Sequence, residues 1–443
     1  MVKNSEPGKK ISLPAIIFYS LPMAGGGAMN MLIALYLMKY STDALFIAPA
    51  IMGLLFFVSK TWDAINDPIF GYLSDHTRSR FGRRKIWILG SAIPLGVFFY
   101  LLWMPSERFI VLWMAVSLIA FYTFFTTLYV PHYSLGAELS PDYNERHRIY
   151  GARAIAENFG IFAAVGVMQL IPDTASARLN VPWLMFIVAA VSVVLIFSMH
   201  FFVNENGAYQ PESTSFIEST LGVFRNPHAR LILIAGFFGQ LGAAIIFGMT
   251  LYFAEYVMQA SSSGNFVIGL FIVCASFTVP VWIFLLKRFE KKTIWIMANI
   301  ILGICFATTY TLGKEDLNTL YLISIFAGSA SGSILFIHPS ALADAVDYEE
   351  LMSGKKSQGM YFSIFTFVNK SSMAVAAMIT GAMLSVGGFQ PNIIQTESAL
   401  FYIRITYAFF PLAAFIVAAI LLTYYSLNKE EHSRIREAIQ NKQ

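Results

Sequence analysis

The chain has two cysteines in 443 residues, Cys274 and Cys305, and both lie inside apolar runs. A disulfide framework and a C-x-x-C metal site are therefore excluded. Charge is scarce as well: 13% of the residues are Asp, Glu, Lys or Arg against 57% hydrophobic, and the mean hydropathy is +0.62. So little charge excludes a soluble globular protein of this length and a nucleic-acid-binding surface. No His-rich or Ser/His/Asp constellation converges within the apolar stretches, which argues against an enzyme. What the chain does have is apolar length. About 250 apolar residues, at about 20 per crossing, supply on the order of twelve membrane spans.

Apolar windows place these spans over 14–38, 46–72, 86–104, 108–136, 150–171 and 182–203, and then over 229–257, 265–286, 294–312, 318–345, 359–385 and 400–426. The expected fold class is an all-α membrane protein with twelve transmembrane helices. Residues 1–203 form an N-terminal six-helix half, 204–228 a cytoplasmic linker, 229–427 a C-terminal six-helix half and 428–443 a cytoplasmic tail. About 22 of the 30 Lys and Arg residues fall on one side of these spans, so both termini are expected in the cytoplasm. The polar start does not resemble a cleavable leader, and the N-terminus is expected to stay attached. Short loops fit a plasma membrane, specifically a bacterial inner membrane, and a monomer is expected.

The halves echo each other. Tyr133-Ser-Leu-Gly-Ala-Glu138 with Asp142-Tyr143 in the first half matches Pro339-Ser-Ala-Leu-Ala-Asp344 with Asp347-Tyr348 in the second. The basic loop of Arg78, Arg80, Arg83, Arg84 and Lys85 has a counterpart in Lys287, Arg288, Lys291 and Lys292. Two matches at corresponding places point to internal duplication, which in transporters puts the binding site near the midplane.

Charges within the spans carry the chemistry, because each costs about 2.5–3.5 kcal/mol at a helix centre unless paired or wetted. The second span runs Lys60-Thr-Trp-Asp-Ala-Ile-Asn-Asp-Pro68. Asp63 and Asp67 are one helical turn apart and share a face, with Lys60 and Asn66 beside them. Two carboxylates this close need a bound cation, a shared proton, or a basic residue from another helix. A small hard cation takes oxygens of the kind this cluster offers; packing through a Lys60–Asp63 pair is the plainer alternative. Lys370, in the middle of span eleven, is the natural counter-ion. Arg153 and Glu157 form another i, i+4 pair in span five, either a site or an internal salt bridge. His132 and His338 adjoin Pro131 and Pro339 and mark helix bends. The small-residue runs 25–27 and 328–333 permit close packing.

Trp62-Asp-Ala-Ile-Asn-Asp-Pro68, then Gly71 and Arg78-Ser-Arg-Phe-Gly-Arg-Arg-Lys85, resembles the signature of the glycoside, pentoside and hexuronide cation symporters, a melibiose-permease-like branch of the major facilitator superfamily. Asp347-Tyr348 and Asn369-Lys370 fit the same pattern. The resemblance implies the major facilitator fold, an alternating-access canyon between the halves, and symport with sodium, proton or lithium. By motif position it implies cation contacts from Asp63, Asn66, Asp67 and Thr126, sodium as the metal at Asp63 and Asp67, and coupling through Lys370. The substrate positions it implies are Arg153, Tyr129, Tyr133, Thr366 and Glu157. Sugar-carrying members place acids where this chain has Gly27 and Tyr129, and an aromatic stacker where it has Tyr133. Arg153 and Thr366 match. Ser276-Phe-Thr-Val-Pro-Val-Trp282, Lys287-Arg-Phe-Glu-Lys-Lys-Thr293 and Tyr361-Phe-Ser-Ile-Phe-Thr-Phe367 resemble instead the sodium-dependent lysophospholipid symporters of the same family. The expected substrate is accordingly an amphipathic lysolipid, with a sugar as the alternative.

Overall fold

Prolines in the first turn start three of the long helices, where a missing N–H costs nothing: Leu13–Leu32 (α1), Pro49–His76 (α3) and Pro227–Tyr252 (α9). The structure, a computed structural model, describes residues 11–139, 143–171, 174–203, 205, 216–353 and 358–440. After α1 the chain continues through a π-helical segment, Ile33–Leu37, into Met38–Asp43 (α2); α3 is followed by Lys85–Leu101 (α4), Ile110–Leu139 (α5), Tyr143–Gln169 (α6) and Thr174–Phe202 (α7). A short helix, Phe216–Arg225 (α8), precedes α9, which also runs on through a π-helical segment, Phe253–Val257. Ser261–Leu285 (α10), Lys291–Thr308 (α11), Leu317–Ser353 (α12), Gln358–Val386 (α13), Glu397–Thr423 (α14) and Lys429–Gln440 (α15) complete the chain. The described residues contain no strand. Residues 204 and 206–215 of the expected linker, and Asp142 of the repeated acidic pair, lie outside them.

The chain divides into two units, Met1–Glu212 and Ser213–Gln443. Each is held together by the same set of helix pairs. In the first unit α1 packs on α6 and α7, α3 on α5, and α4 on α5 and α7. In the second, α9 packs on α13 and α14, α10 on α12, and α11 on α12 and α14. Counted by order within each unit, these are the same five pairs, so the duplication legible in the loops extends to the packing.

Among the described residues, nine helices are long and apolar enough to cross a membrane, fewer than the twelve spans expected. The other three long helices are α3, α4 and α6. The apolar helix α4 has 17 residues, while α3 carries Lys60, Asp63 and Asp67 and α6 carries Arg153 and Glu157 within their lengths. The helices that fall short on composition are thus the ones bearing the charged clusters. The outward side of α7 shows what the surroundings are: Leu179, Trp183, Ile187, Val191 and Val194 recur at helical spacing and all are exposed, as a lipid-facing stripe requires.

Small residues bring α1 and α6 together. A Cβ on Gly160 would lie 2.0 Å from the Ala24 carbonyl oxygen, and one on Gly27 would lie 2.8 Å from the Glu157 carbonyl oxygen. The glycines are there because the backbones touch. At the helix ends, polar side chains tie the elements down. Glu205 accepts from the Arg84 and Lys85 amides at 2.9 and 3.2 Å, and Lys85 Nζ donates to the Val203 carbonyl at 2.6 Å. In the second unit Lys291 meets Asp344 at 2.6 Å, and His432 of α15 lies 2.9 Å from Asp347 Oδ2 while Ile435 enters the apolar core of that unit. Arg404 donates to the Tyr310 and Leu312 carbonyls, which places it as a cap beyond α11.

Gly160→Ala is expected to lower the thermal stability of the purified protein by about 1–3 kcal/mol, since the added methyl has no room. Gly166→Ala on the same helix meets nothing within 4 Å and is expected to be neutral or stabilising by up to about 1 kcal/mol. Equal melting temperatures for the two variants would contradict the close α1–α6 contact.

Candidate functional site

The second helix of the first unit, α3, presents its acids to α5. Thr126 Oγ1 lies 2.9 Å from Asp63 Oδ1 and 3.2 Å from Asp67 Oδ1, so one hydroxyl contacts both carboxylates. Asp63 and Thr126 are buried, and Asp67 is half-buried. A threonine hydroxyl has a single hydrogen to donate. It can donate to only one of the two carboxylate oxygens it contacts. The donors present, carboxylate and hydroxyl oxygens, are those a small hard cation prefers.

The fourth expected cation residue sits slightly apart. Asn66 is buried, but its Nδ2 donates to Thr123 Oγ1 at 3.4 Å, one turn before Thr126. Trp62 Nε1 donates to the same hydroxyl at 2.9 Å. Thr123 therefore anchors the Trp62–Asn66 turn of α3, a role that sequence reasoning missed. The recurrence of threonines at 123, 126 and 127 on one apolar helix was the available signal. A packing pair of Lys60 with Asp63 was the plainer alternative to a cation site. The Lys60 Nζ lies 3.9 Å from Asp63 Oδ2 and 4.0 Å above the centre of the Tyr122 ring, a fully buried residue of α5 that was not foreseen.

A second cluster lies between α5 and α6. Arg153 Nη1 is 3.3 Å from Glu157 Oε2, and the guanidinium sits 4.7 Å from the Tyr129 ring centre and 5.0 Å from that of Tyr133. Arg153 Nη2 also contacts Met23 Sδ at 3.4 Å, while its Nε is buried without a hydrogen-bond partner among the described residues. Glu157 keeps 30% of its side chain accessible, and the Tyr133 ring faces outward with 51% exposure. Four of the five expected substrate residues thus gather around Arg153. The Cγ of Glu157 stands 3.3 Å from the place a Gly27 Cβ would take. The backbone carbonyl and Cγ of Glu157 thus fill the space beside Gly27.

Thr366 and Lys370 belong to the second unit, one turn apart on α13. Thr366 Oγ1 donates to the Phe362 carbonyl of its own helix at 3.0 Å, and Lys370 is half-buried. The two bend histidines are packing residues: His132 stacks on Tyr19 with ring centres 4.3 Å apart, and His338 lies against Trp295 and Phe365.

The family model for MFS/sugar transport proteins matches residues 18–429 of this chain. The isoprimeverose transporter of Lactiplantibacillus pentosus is 28% identical over 417 residues, covering 90% of this chain and 86% of its own. Sodium-dependent lysophosphatidylcholine symporter 1-A of Danio rerio is 23% identical over 453 residues, covering 91% of this chain and 84% of its own. Among solved structures, that of the nucleoside transporter NupG superposes with a TM-score of 0.70 at 13% identity, over 93% of this chain and 100% of that one. The last similarity concerns the fold alone.

Thr126→Val keeps the side-chain shape and removes the hydroxyl shared by the two carboxylates. It is expected to cost about 1–3 kcal/mol of stability in cation-free buffer, whereas Thr126→Ser retains most of it. Thermal unfolding of both variants checks this, and an unchanged melting point for the valine variant would mean that the hydroxyl is not engaged.

Proposed function

Since the chain belongs to the MFS/sugar transport protein family and is a multi-pass secondary symporter of that type, we propose that sodium is the ion it couples and that a glycoside is its cargo. The observation that carries the ionic half is the single Thr126 hydroxyl in contact with both Asp63 and Asp67. The pair has the oxygens to strip water from a small cation and a charge that welcomes one; Asn66 completes the polar lining. Proton and lithium fit the same oxygens and are the competing ions. One monovalent cation moving down about 100 mV releases about 2.3 kcal/mol, and a tenfold gradient adds about 1.4 kcal/mol. Together these sustain accumulation of a neutral solute by a few hundred-fold.

For the cargo, the cluster around Arg153 favours a sugar over the lysolipid expected on sequence alone. Glu157 supplies a carboxylate next to Arg153, and Tyr133 offers an exposed ring. An acid, a guanidinium and an aromatic face are what hydroxyl recognition and stacking of a sugar ring need. The similarity to an isoprimeverose transporter supports the same class. An amphipathic lysophospholipid is the second candidate, favoured by the aromatic and thioether lining that Tyr129, Tyr133 and Met23 give to Arg153. A guanidinium in such surroundings suits a phosphate next to an acyl chain, and the lysophosphatidylcholine symporters are relatives too. Lys370 is proposed as the coupling residue, with Thr366 as a further cargo contact. The charge distribution of the loops supports a plasma membrane, bacterial inner membrane in type, with both termini cytoplasmic and a monomeric protein.

Asp63→Asn and Asp67→Asn are each expected to abolish sodium-stimulated uptake in proteoliposomes while leaving a folded protein. Unchanged sodium dependence in both removes the cation assignment. Lys370→Ala is expected to stop or uncouple transport; wild-type kinetics would make it structural. Thermal shift with and without sodium decides the cargo: stabilisation by glycosides that is lost in Glu157→Gln supports the sugar class, and stabilisation by lysophospholipids alone transfers the assignment to the lipid.

A further inference from the structure

We infer that Tyr19 and Tyr150 are positioning residues of the cargo site: their hydroxyls grip the backbone of α5 just past Pro131 and thereby set the Tyr133 ring against Arg153. This rests on the proposal that Arg153 and Tyr133 meet the cargo. The Tyr19 hydroxyl of α1 donates to the His132 carbonyl at 3.0 Å, and the Tyr150 hydroxyl of α6 donates to the Tyr133 carbonyl at 2.9 Å. A carbonyl oxygen has two lone pairs, so each can keep its bond within the helix and accept a second. Successive carbonyls of an α-helix are turned about 100° from one another around the axis. One such bond would let the segment swivel; two, from different helices, stop it. The first grip is reciprocal. His132 Nε2 lies 2.6 Å from the Tyr19 carbonyl, which can only accept, so this nitrogen carries the hydrogen and donates it. The two rings stack with centres 4.3 Å apart.

Ring packing alone does not need the hydroxyls. Gly136, one turn beyond His132, makes room for them: a Cβ there would collide with the Tyr19 hydroxyl and stand 3.2 Å from Tyr150 Cε1. The two tyrosines stand on one body, since α1 and α6 touch backbone to backbone at Gly27 and Gly160. What they hold is the cargo face. Tyr150 and Arg153 are three residues apart and therefore neighbours on α6. The Tyr133 ring lies 4.9 Å from the Tyr150 ring and 5.0 Å from the Arg153 guanidinium. Before Pro131, α5 is held by α3 instead, through Thr123 and Thr126. The proline lacks the amide that would bond to the Thr127 carbonyl, and it separates the two stretches. A grip past the proline bears on the cargo and spares the ion.

The test uses the full-length protein in detergent, read by thermal shift, with sodium chloride, isoprimeverose and a lysophosphatidylcholine as probes. For whichever organic probe stabilises the wild type, Tyr19→Phe and Tyr150→Phe are each expected to raise the half-saturating concentration about three- to tenfold, the worth of one hydrogen bond. The sodium response is expected to stay that of the wild type. A merely structural role would lower the melting temperature and leave half-saturation alone. Gly136→Ala is expected to lower the melting temperature in the wild type, and to lower it less in Tyr19→Phe, where the hydroxyl it meets is gone. Should Gly136→Ala fail to fold alone, its recovery in the Tyr19→Phe background supports the inference and failure in both overturns it. Unchanged half-saturation in both tyrosine variants overturns the inference, as does a sodium response lost together with the cargo response, or an equal Gly136→Ala loss in both backgrounds. If neither organic probe acts on the wild type, it is the cargo reading that fails for these probes, and the Gly136 comparison decides the grip by itself.

Discussion

Two carboxylates one turn apart on a buried helix cannot both be left to an apolar interior. The desolvation of each amounts to several kcal/mol unless positive charge or hydrogen bonds offset it. In α3 the offset includes one hydroxyl in contact with two carboxylate oxygens and one ammonium at 3.9 Å. The composition of the helix follows from this. It cannot be as apolar as its neighbours, because Lys60, Asp63, Asn66 and Asp67 interrupt it, and it is stable only because α5 covers those residues with Tyr122, Thr123 and Thr126.

The duplication sharpens that point. The helices α3 and α10 occupy equivalent places in their units, each packing on the fourth long helix. Helix α10 has no Asp, Glu, Lys or Arg in its 25 residues. The same packing therefore coexists with different electrostatics, and the charged cluster is found in one copy. The relation between α6 and α13 is similar in kind. Both pack on the first helix of their unit, but one bears the Arg153–Glu157 pair and the other Lys370. A duplicated scaffold has been kept for its packing while its polar residues diverged.

Much of this was legible in the residues, and the part that was not has a physical cause. Apolar run length gave the helices, because the bilayer fixes how long a span must be, and the i, i+4 spacing of Asp63 and Asp67 gave their common face. Thr126 entered through the family resemblance rather than through spacing, since nothing local distinguishes it from Thr123 or Thr127. The contacts of Lys60 with Tyr122 and of Trp62 with Thr123 join residues some 60 positions apart. Such pairs are set by which helices pack together, and a periodicity does not encode them. Gly27 is the instructive case. On the sequence it was a lost acid. In the structure it is a close approach of α1 to α6, with the Glu157 carbonyl and Cγ against it, a contact between helices that no local pattern encodes.

The two clusters are linked by a single surface of α5. Tyr122, Thr126, Tyr129 and Tyr133 follow the i, i+4, i+7, i+11 pattern of one helical face, and they touch in turn Lys60, the Asp63–Asp67 pair, and Arg153. From Thr126 to Tyr133 the rise is about 10 Å. Coupling between two ligands requires an element whose position both of them bias, and here that element is continuous backbone. Pro131 lies between Tyr129 and Tyr133 and removes the amide that would bond to the Thr127 carbonyl. The helix can bend sharply at that point without breaking a hydrogen bond. On the proposed assignment, a cation drawing Thr126 toward the acids would strain one side of the bend, and a cargo engaging Arg153 between the two tyrosines would strain the other. Ion and solute would then bias the same helix, which is the least a symporter needs for one to influence the other.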